Sequence, residues 1–243
     1  DASPSNANTI VVGGINTWRS TNGGTNWSII NHWTGNGVQA VHADKHTLKF
    51  RSNGDLFECN DGGIYFSNNN GTDFTDITNG MVTSQMYKLG VSQTVPNEII
   101  TGLQDNGTKL LSGGSWDDII GGDGMECLID YTDVDIQYGS LYYGDIKRTD
   151  NHWASNTGIK PAGAGKGAWI TPFIIDPQNH NTLYAGFSEV WKTTDQGDNW
   201  TKISNLNSGN LLSMAISSSD NNFICVAKDT RIWKTTDGGV NWK

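Results

Sequence analysis

STNGGTNW (residues 20–27) returns as SNNNGTDF (67–74), TTDQGDNW (193–200) and TTDGGVNW (235–242). Each copy sets an Asn or Asp ahead of a Gly and closes on an aromatic. The Asx side chain can accept hydrogen bonds from amides a few residues on, the Gly tolerates positive φ, and the aromatic supplies surface to bury. That combination describes a rigid turn between two strands. Asn22, Asn69, Asp195 and Asp237 would hold it, and Gly24, Gly71, Gly197 and Gly239 would let it close. Two degenerate copies, SGGSW ending at Trp116 and RTDNHW ending at Trp153, lie between the second and third full ones. The closing aromatics are then Trp27, Phe74, Trp116, Trp153, Trp200 and Trp242, at steps of 47, 42, 37, 47 and 42 residues. One four-stranded propeller blade occupies roughly 40 to 50 residues.

Outward from the repeat, short runs rich in Val, Ile, Leu and Tyr alternate with Gly, Asn and Asp, and helical periodicity is lacking. The reading is all-β: a β-propeller of four-stranded antiparallel blades, about six repeats, in a single region spanning residues 1–243. The clearest blade predicts strands over 169–176, 182–187, 190–194 and 200–204, and similar quartets start at His46, Met86, Met125 and Leu211. The first repeat offers only strands 2, 3 and 4 (9–13, 17–21, 27–30), and the last stops where its fourth strand should begin. Loose strand edges invite aggregation, so the expectation is a piece of a larger chain, incomplete at both ends.

Composition bounds the partners. Ten Trp, thirty Gly and only 17% charged residues in 243 suit short strands joined by tight turns around a substantial core. A net charge of −9 supplies no basic stripe for nucleic acid or an anionic membrane. No apolar run approaches the roughly 20 residues of a bilayer-spanning helix. An acidic, polar surface suits a secreted protein or one handling neutral sugars. Cys59, Cys127 and Cys225 are odd in number and far apart, giving neither a disulfide framework nor a close-spaced zinc site, and read as small buried residues on strands. Asn-x-Ser/Thr occurs at Asn26, Asn70, Asn106 and Asn199, three of them inside the repeated phrase, where turn chemistry explains them.

In such a meander the 1–2 and 3–4 connections share one rim, and the 2–3 and blade-to-blade connections share the other. The repeated turns occupy the first rim. Four less repetitive polar motifs map to the second: HADKH (42–46), NDGG (60–63), QDNG (104–107) and GGDGME (121–126). They nominate His42, Asp44, His46, Gln104, Asn106, Glu126 and, in the approach to the fifth blade, Trp169 as ligand-binding residues. If HADKH is extended, His42, Asp44 and His46 point to one side, a spacing open to a divalent metal, to ligand contacts or to structural hydrogen bonds. No cofactor is required. Paired carboxylates can cleave glycosidic bonds when roughly 5 to 9.5 Å apart, and Asp61, Asp105 and Asp123 are the candidates, with use as turn residues the competing reading. Trp33, Trp169 and Tyr143 are candidates for stacking on sugar faces. No nucleophile elbow of the G-x-S-x-G type is present.

The four full copies resemble the Asp-box, or BNR repeat, of sialidases, xyloglucanase-type glycoside hydrolases and sortilin-like receptors. The resemblance implies the propeller fold; these families differ in function, and the box lies away from their active sites. Sialidases hold the substrate carboxylate with three arginines, whereas this chain has Arg19, Arg51, Arg148 and Arg231, with Arg19 and Arg148 immediately before the box, and lacks the Arg-Ile-Pro or Arg-Leu-Pro signature. The succession HADKH, ECNDGGIYFS, ITNG, LQDNGT, GGDGMECLIDY, GAWITPFIIDPQNHNTLYAG and VWKTTDQGDNW resembles the large secreted "glycosyl hydrolase-like" BNR-repeat proteins of Bacteroidota. That resemblance covers roughly residues 8–242 and implies an extracellular or cell-surface propeller, in a group commonly exported by the type IX secretion system. It transfers no catalytic residue. The expected function is binding of a glycan or protein partner through the rim opposite the Asp-boxes, with secretion-system components as partners if the chain belongs to a larger cargo protein. A two-carboxylate hydrolase of a neutral polysaccharide and a structural component of a surface complex are the alternatives.

Overall fold

The computed structural model describes residues 1–81, 84–207 and 209–243 and divides into two compact units, Asp1–Thr83 and Ser84–Lys243. Among the described residues the regular structure is six sheets and one 3-10 turn, with no α-helix. Four of these sheets are four-stranded and antiparallel, the all-β blade architecture expected of a β-propeller. Among the described residues no helix is long and apolar enough to cross a membrane.

In the first unit, one sheet runs β1 (Ala2–Ser3), β2 (Asn6–Gly13), β3 (Thr17–Ser20), β4 (Ser28–His32) and β5 (Gln39–Ala40). The other runs β6 (Lys45–Phe50), β7 (Leu56–Asn60), β8 (Gly63–Ser67) and β9 (Thr75–Asp76). The first repeat thus holds more than the three strands its sequence suggested. Ala2 pairs with Ile10, and β5 adds a parallel pairing to β4. The two-residue β1 carries too little alternation to be read from sequence. Val11, Ile30, Val41, Phe50, Leu56 and Phe74 form the core of this unit.

The second unit holds four sheets. The third sheet is β10 (Met86–Val91), β11 (Ile99–Leu103), β12 (Gly107–Ser112) and β13 (Ser115–Ile120). The fourth is β14 (Gly124–Ile129), β15 (Gln137–Leu141), β16 (Asp145–Thr149) and β17 (Thr157–Gly158). The fifth is β18 (Phe173–Asp176), β19 (Asn179–Gly186), β20 (Val190–Thr193) and β21 (Thr201–Lys202). The sixth has three strands, β22 (Ser213–Ile216), β23 (Ile224–Lys228) and β24 (Arg231–Thr235). Strand 1 of the fifth sheet is shorter than its sequence predicted, because residues 169–172 form an irregular approach to Phe173.

Leu183, Tyr184 and Ala185 are consecutive and all buried, because β19 is covered on both faces. Leu183 and Ala185 pack with Tyr138, Ile146 and Phe173 of this sheet and the fourth; Tyr184 packs with Ile224 and Val226 of the sixth and with Leu211 just ahead of it. Cys127 lies on β14 in a cluster with Ile100, Leu110 and Ile129, and burial pushes its thiol far above the ordinary value. Cys59 and Cys225, also on strands, are half-buried, and all three are free.

The repeated phrase forms one turn four times. In the third copy the Thr193 hydroxyl donates to Asp195 Oδ1 at 2.6 Å and accepts from Gly197 N at 3.0 Å, while Asn199 N donates to Asp195 Oδ1 at 2.9 Å. Ser20 and Asn22, Ser67 and Asn69, and Thr235 and Asp237 repeat the pattern. The Thr193 hydroxyl and two Asn199 bonds hold the Asp195 carboxyl down at about 2; the Asn241 amide, followed by Thr235, does the same for Asp237. The glycine has a second task. A Cβ on Gly71, Gly197 or Gly239 would come within 2.7, 2.7 or 2.5 Å of Cδ1 of Ile30 in β4, Ile159 just after β17 or Ile203 just after β21. Trp200 and Trp242 close the same seams by donating their indole N–H to Ile159 O at 2.7 Å and Ile203 O at 2.9 Å. Arg19 and Arg148 reach across equivalent seams to Asn70 O and Gln196 O, at 2.6 and 2.9 Å, so these arginines staple sheets.

The degenerate copies read differently from expectation. Thr149 Oγ1 donates to Asn151 Oδ1 at 3.0 Å and accepts from Trp153 N at 2.8 Å, and Ser155 N donates to Asn151 Oδ1 at 2.9 Å. Trp153 therefore occupies the glycine position, with φ +64°, and Asn156 the place of the closing aromatic. Its indole instead donates to Gln137 Oε1 at 2.9 Å. The other copy is no such turn at all. Gly113 and Gly114, at φ +58° and +86°, make a two-residue hairpin between β12 and β13, and Trp116 sits on β13 more than half exposed.

Candidate functional site

The four polar motifs lie where strand counting put them, and they divide between the units. HADKH leads into β6 and NDGG joins β7 to β8; QDNG joins β11 to β12 and GGDGME leads into β14.

In the first unit the HADKH segment is not the extended stretch that would align His42, Asp44 and His46. Asp44 is left-handed, at φ +58°, and the pairing with β7 shifts register between Lys45 and Thr47. The odd–even alternation is therefore interrupted. His46 reaches Asp61, and the His42 ring packs on Gly62, where a Cβ would come 2.4 Å from His42 Cγ. Between them Lys45 turns inward to Glu58 at 2.8 Å, both side chains fully buried. Lys45 Nζ also donates to His42 O and to Val41 O. Glu58 accepts from Thr17 Oγ1 at 2.6 Å, Asn31 Nδ2 at 2.9 Å and Asn60 Nδ2 at 3.4 Å. A buried ion pair is tolerable only when its remaining lone pairs and protons are satisfied, as they are here. Nothing local in the sequence marks this hub: Lys45 lies between His42 and His46, the residues of chemical interest there, and Glu58 has no partner close in sequence. Trp33, exposed in the same unit, stacks on His32 with centroids 6.4 Å apart.

In the second unit the 2–3 connections and the entries to new sheets are stitched together. Asp105, with φ +60°, donates its amide to Asp123 Oδ1 at 2.9 Å, and Gly107 N donates to Gly122 O at 2.8 Å. Asp123 is thus engaged as a turn anchor, and Asn106 Nδ2 donates to Gln104 O at 3.1 Å. Glu126, largely buried, faces Lys88 at 3.6 Å; desolvation raises its carboxyl above the usual range against the opposing pull of that ammonium.

Next to this lies the most distinctive surface. The β15–β16 connection is Tyr142–Gly144, and Tyr143 is held left-handed at φ +62°, ψ +23°. A bulky non-glycine residue there is strained, at a cost on the order of 1 to 3 kcal/mol, and such strain clusters at working sites. The segment before β18 clasps this turn: Tyr143 N donates to Trp169 O at 3.3 Å and Gly167 N to Tyr143 O at 3.1 Å. Trp169 lies parallel to Tyr142, with centroids 5.4 Å apart and planes 5° from coplanar, and edge-on to Tyr143 at 5.5 Å. Its indole N–H donates to Tyr87 Oη at 3.2 Å, and Tyr87 donates onward to Gln104 Oε1 at 2.7 Å. Tyr142, Tyr143 and Trp169 are nevertheless 41%, 37% and 41% exposed. Lys166 sits over the Tyr143 ring at 5.2 Å, and Lys160 donates to Tyr143 O at 3.4 Å.

The sequence picked out Trp169, Tyr143 and Gln104 from this group and missed Tyr142, Tyr87, Lys160 and Lys166. The doublet Tyr142-Tyr143 ahead of a Gly was the one local signal, since aromatics in a connection are not needed to fill a core. Chemically, a rigid, partly exposed Tyr142–Trp169 stack, with Tyr143 edge-on beside it and polar groups at its edges, can stack on the apolar face of a ring and hydrogen-bond its substituents.

No protein-family model and no curated protein matches the chain. Among solved structures it is similar to the GH74 xyloglucanase from Xanthomonas campestris, with 10% identity and a TM-score of 0.40 over all of this chain and 51% of that one. It is also similar to the extracellular domain of a one-component system from B. thetaiotaomicron, with 13% identity and a TM-score of 0.49 over all of this chain and 35% of that one. A third is YCF48 from Cyanidioschyzon merolae, with 11% identity and a TM-score of 0.47 over all of this chain and 82% of that one. The chain spans about half the length of the xyloglucanase and a third of the extracellular domain. The likeness is one of fold and goes no further.

Proposed function

We propose that this chain is a glycan-binding propeller module of a secreted or cell-surface protein, and that it binds at the connections opposite the Asp-box turns. The platform of Tyr142, Tyr143 and Trp169 carries the reading. Three aromatic rings fixed by backbone clasps and a tyrosine relay, yet left two-fifths exposed, present solvent-exposed apolar area that a purely structural connection does not need. Rings held in place before binding lose little entropy when a sugar docks. The four Asp-box copies support placing the chain beside the large BNR-repeat proteins of Bacteroidota, with type IX secretion components as partners in export. The test is a glycan array probed with the whole chain, then titration of any hit with Trp169→Ala and with Trp33→Ala, an exposed tryptophan of the other unit. Binding lost with the first substitution and kept with the second is expected. Equal affinity in both would remove the platform from the reading.

One observation favours a second reading, a two-carboxylate glycoside hydrolase. Glu126, its carboxyl pushed up by burial, has the character of a general acid and lies in the same segment as Asp123. Reducing-sugar release from a neutral polysaccharide, abolished by Glu126→Gln and by Asp105→Asn or Asp123→Asn, would establish it. Release untouched by Glu126→Gln would exclude that residue.

A further inference from the structure

We infer that the sugar recognised at the platform is anionic, a uronate unit whose carboxylate meets Lys166 and Lys160; this rests on the glycan-binding reading and narrows it. A net charge of −9 makes the chain a poor general partner for polyanions, so what decides is the charge beside the rings. Two other lysines on the strands that frame the platform are already neutralised, Lys88 by Glu126 at 3.6 Å and Lys147 by Asp145 at 3.0 Å. Lys166 and Lys160 have no carboxylate within ion-pair distance among the described residues. Both are instead held by the platform. Lys166 lies 5.2 Å over the ring of Tyr143, and Lys160 donates to Tyr143 O while lying 5.5 Å over Phe187. A ring quadrupole orients an ammonium without cancelling its charge, so each lysine keeps donors for an incoming acceptor. Phe187 in turn fixes the turn: a Cβ on Gly144 would come 2.6 Å from its ring. Two positioned, unneutralised ammoniums beside an exposed aromatic face suit a sugar ring with one apolar face and a carboxylate at its edge.

The shared chemistry of a uronate and a sulfated sugar is an anionic substituent, and the probes separate them. Affinity electrophoresis or calorimetry of the whole chain would compare polygalacturonate oligosaccharides, the same oligosaccharides fully methyl-esterified, and dextran sulfate. Esterification removes the charge and keeps the sugar, so weaker binding of the ester is expected. Lys166→Gln and Lys160→Gln should each weaken binding of the acid about threefold, the size of an exposed charge contact, and leave the ester unchanged. Trp169→Ala should weaken both. Acid and ester bound equally, with Trp169→Ala still disruptive, would overturn the uronate assignment and leave the glycan reading standing. Dextran sulfate bound as tightly as the acid, and unaffected by Trp169→Ala, would overturn it in favour of diffuse charge attraction. Binding of none of the three, with fluorescence showing a folded chain, would overturn the assignment and count against the glycan reading too.

Discussion

Gly197→Ala separates the two demands that the repeated turn places on its glycine. Gly197 has φ +103°, and an added methyl would lie 2.7 Å from Ile159 Cδ1 and 3.0 Å from Ile159 Cβ. Gly163→Ala is the reference, because Gly163 has φ +81° with nothing within 4 Å of the added methyl. Forcing an alanine to positive φ costs about 1 to 2 kcal/mol at either position. The entropy that alanine removes from the unfolded chain, about 0.4 to 1 kcal/mol, offsets part of that equally in both. Only Gly197 adds overpacking, about 1 to 3 kcal/mol. The expected result in urea unfolding followed by tryptophan fluorescence is that Gly197→Ala is less stable than Gly163→Ala by about 1 to 3 kcal/mol. Ile159→Val removes the nearest methyl, so in the Ile159→Val background the difference should shrink, by about 1 kcal/mol of coupling. Equal stabilities for the two alanine variants would refute the close-approach argument and leave backbone conformation as the glycine's sole task.

Two further outcomes follow from the charged groups. Glu58→Ala strands Lys45 in the core of the first unit and should cost about 3 to 5 kcal/mol in chemical denaturation, whereas a joint Lys45→Met, Glu58→Leu replacement should recover much of that loss; a single variant as stable as the parent would sink the hub. Because the Asp195 and Asp237 carboxyls sit at about 2 in the fold against an ordinary 3.8, the stability they lend is essentially complete above about pH 5 and is lost as pH falls through 4 to about 2 and below. Asp195→Asn with Asp237→Asn keeps the Oδ1 acceptor, as Asn22 and Asn69 do, gives up the Oδ2 bond from Asn199 or Asn241, and should flatten the melting-temperature profile between pH 5 and 2. An unchanged acid limb would show that these groups do not set it.

The fold was largely legible because its signal is redundant. Four turns that need the same Asx, Gly and aromatic set the period, and the strand quartets follow from it. Legibility failed where a position kept the letter and changed the role. Trp153 looks like a closing aromatic but fills the glycine slot, because Thr149 and Asn151 set the register of that turn and its tryptophan lies two residues past Asn151. Trp116 looks the same, yet Gly113-Gly114 satisfies a two-residue hairpin and leaves the ring on an exposed strand face. β1 escaped because two residues carry no periodicity.

The site was legible in part, and for a comparable reason. Strand counting alone put QDNG, GGDGME and Trp169 at the same ends of their sheets, since connections in a meander must alternate. What the sequence determined by itself was local: turn chemistry, blade period, the end of a sheet at which a motif falls, and an acidic balance. Only the tertiary structure decided which of those groups meet. Lys45 finds Glu58 through a register shift, Asp123 is claimed by the amide of Asp105, and Trp169 reaches Tyr87 across 82 residues of sequence and lies against Tyr142 and Tyr143. Pairings of that kind depend on how sheets stack and how each connection bends, and those are set by packing across the whole unit.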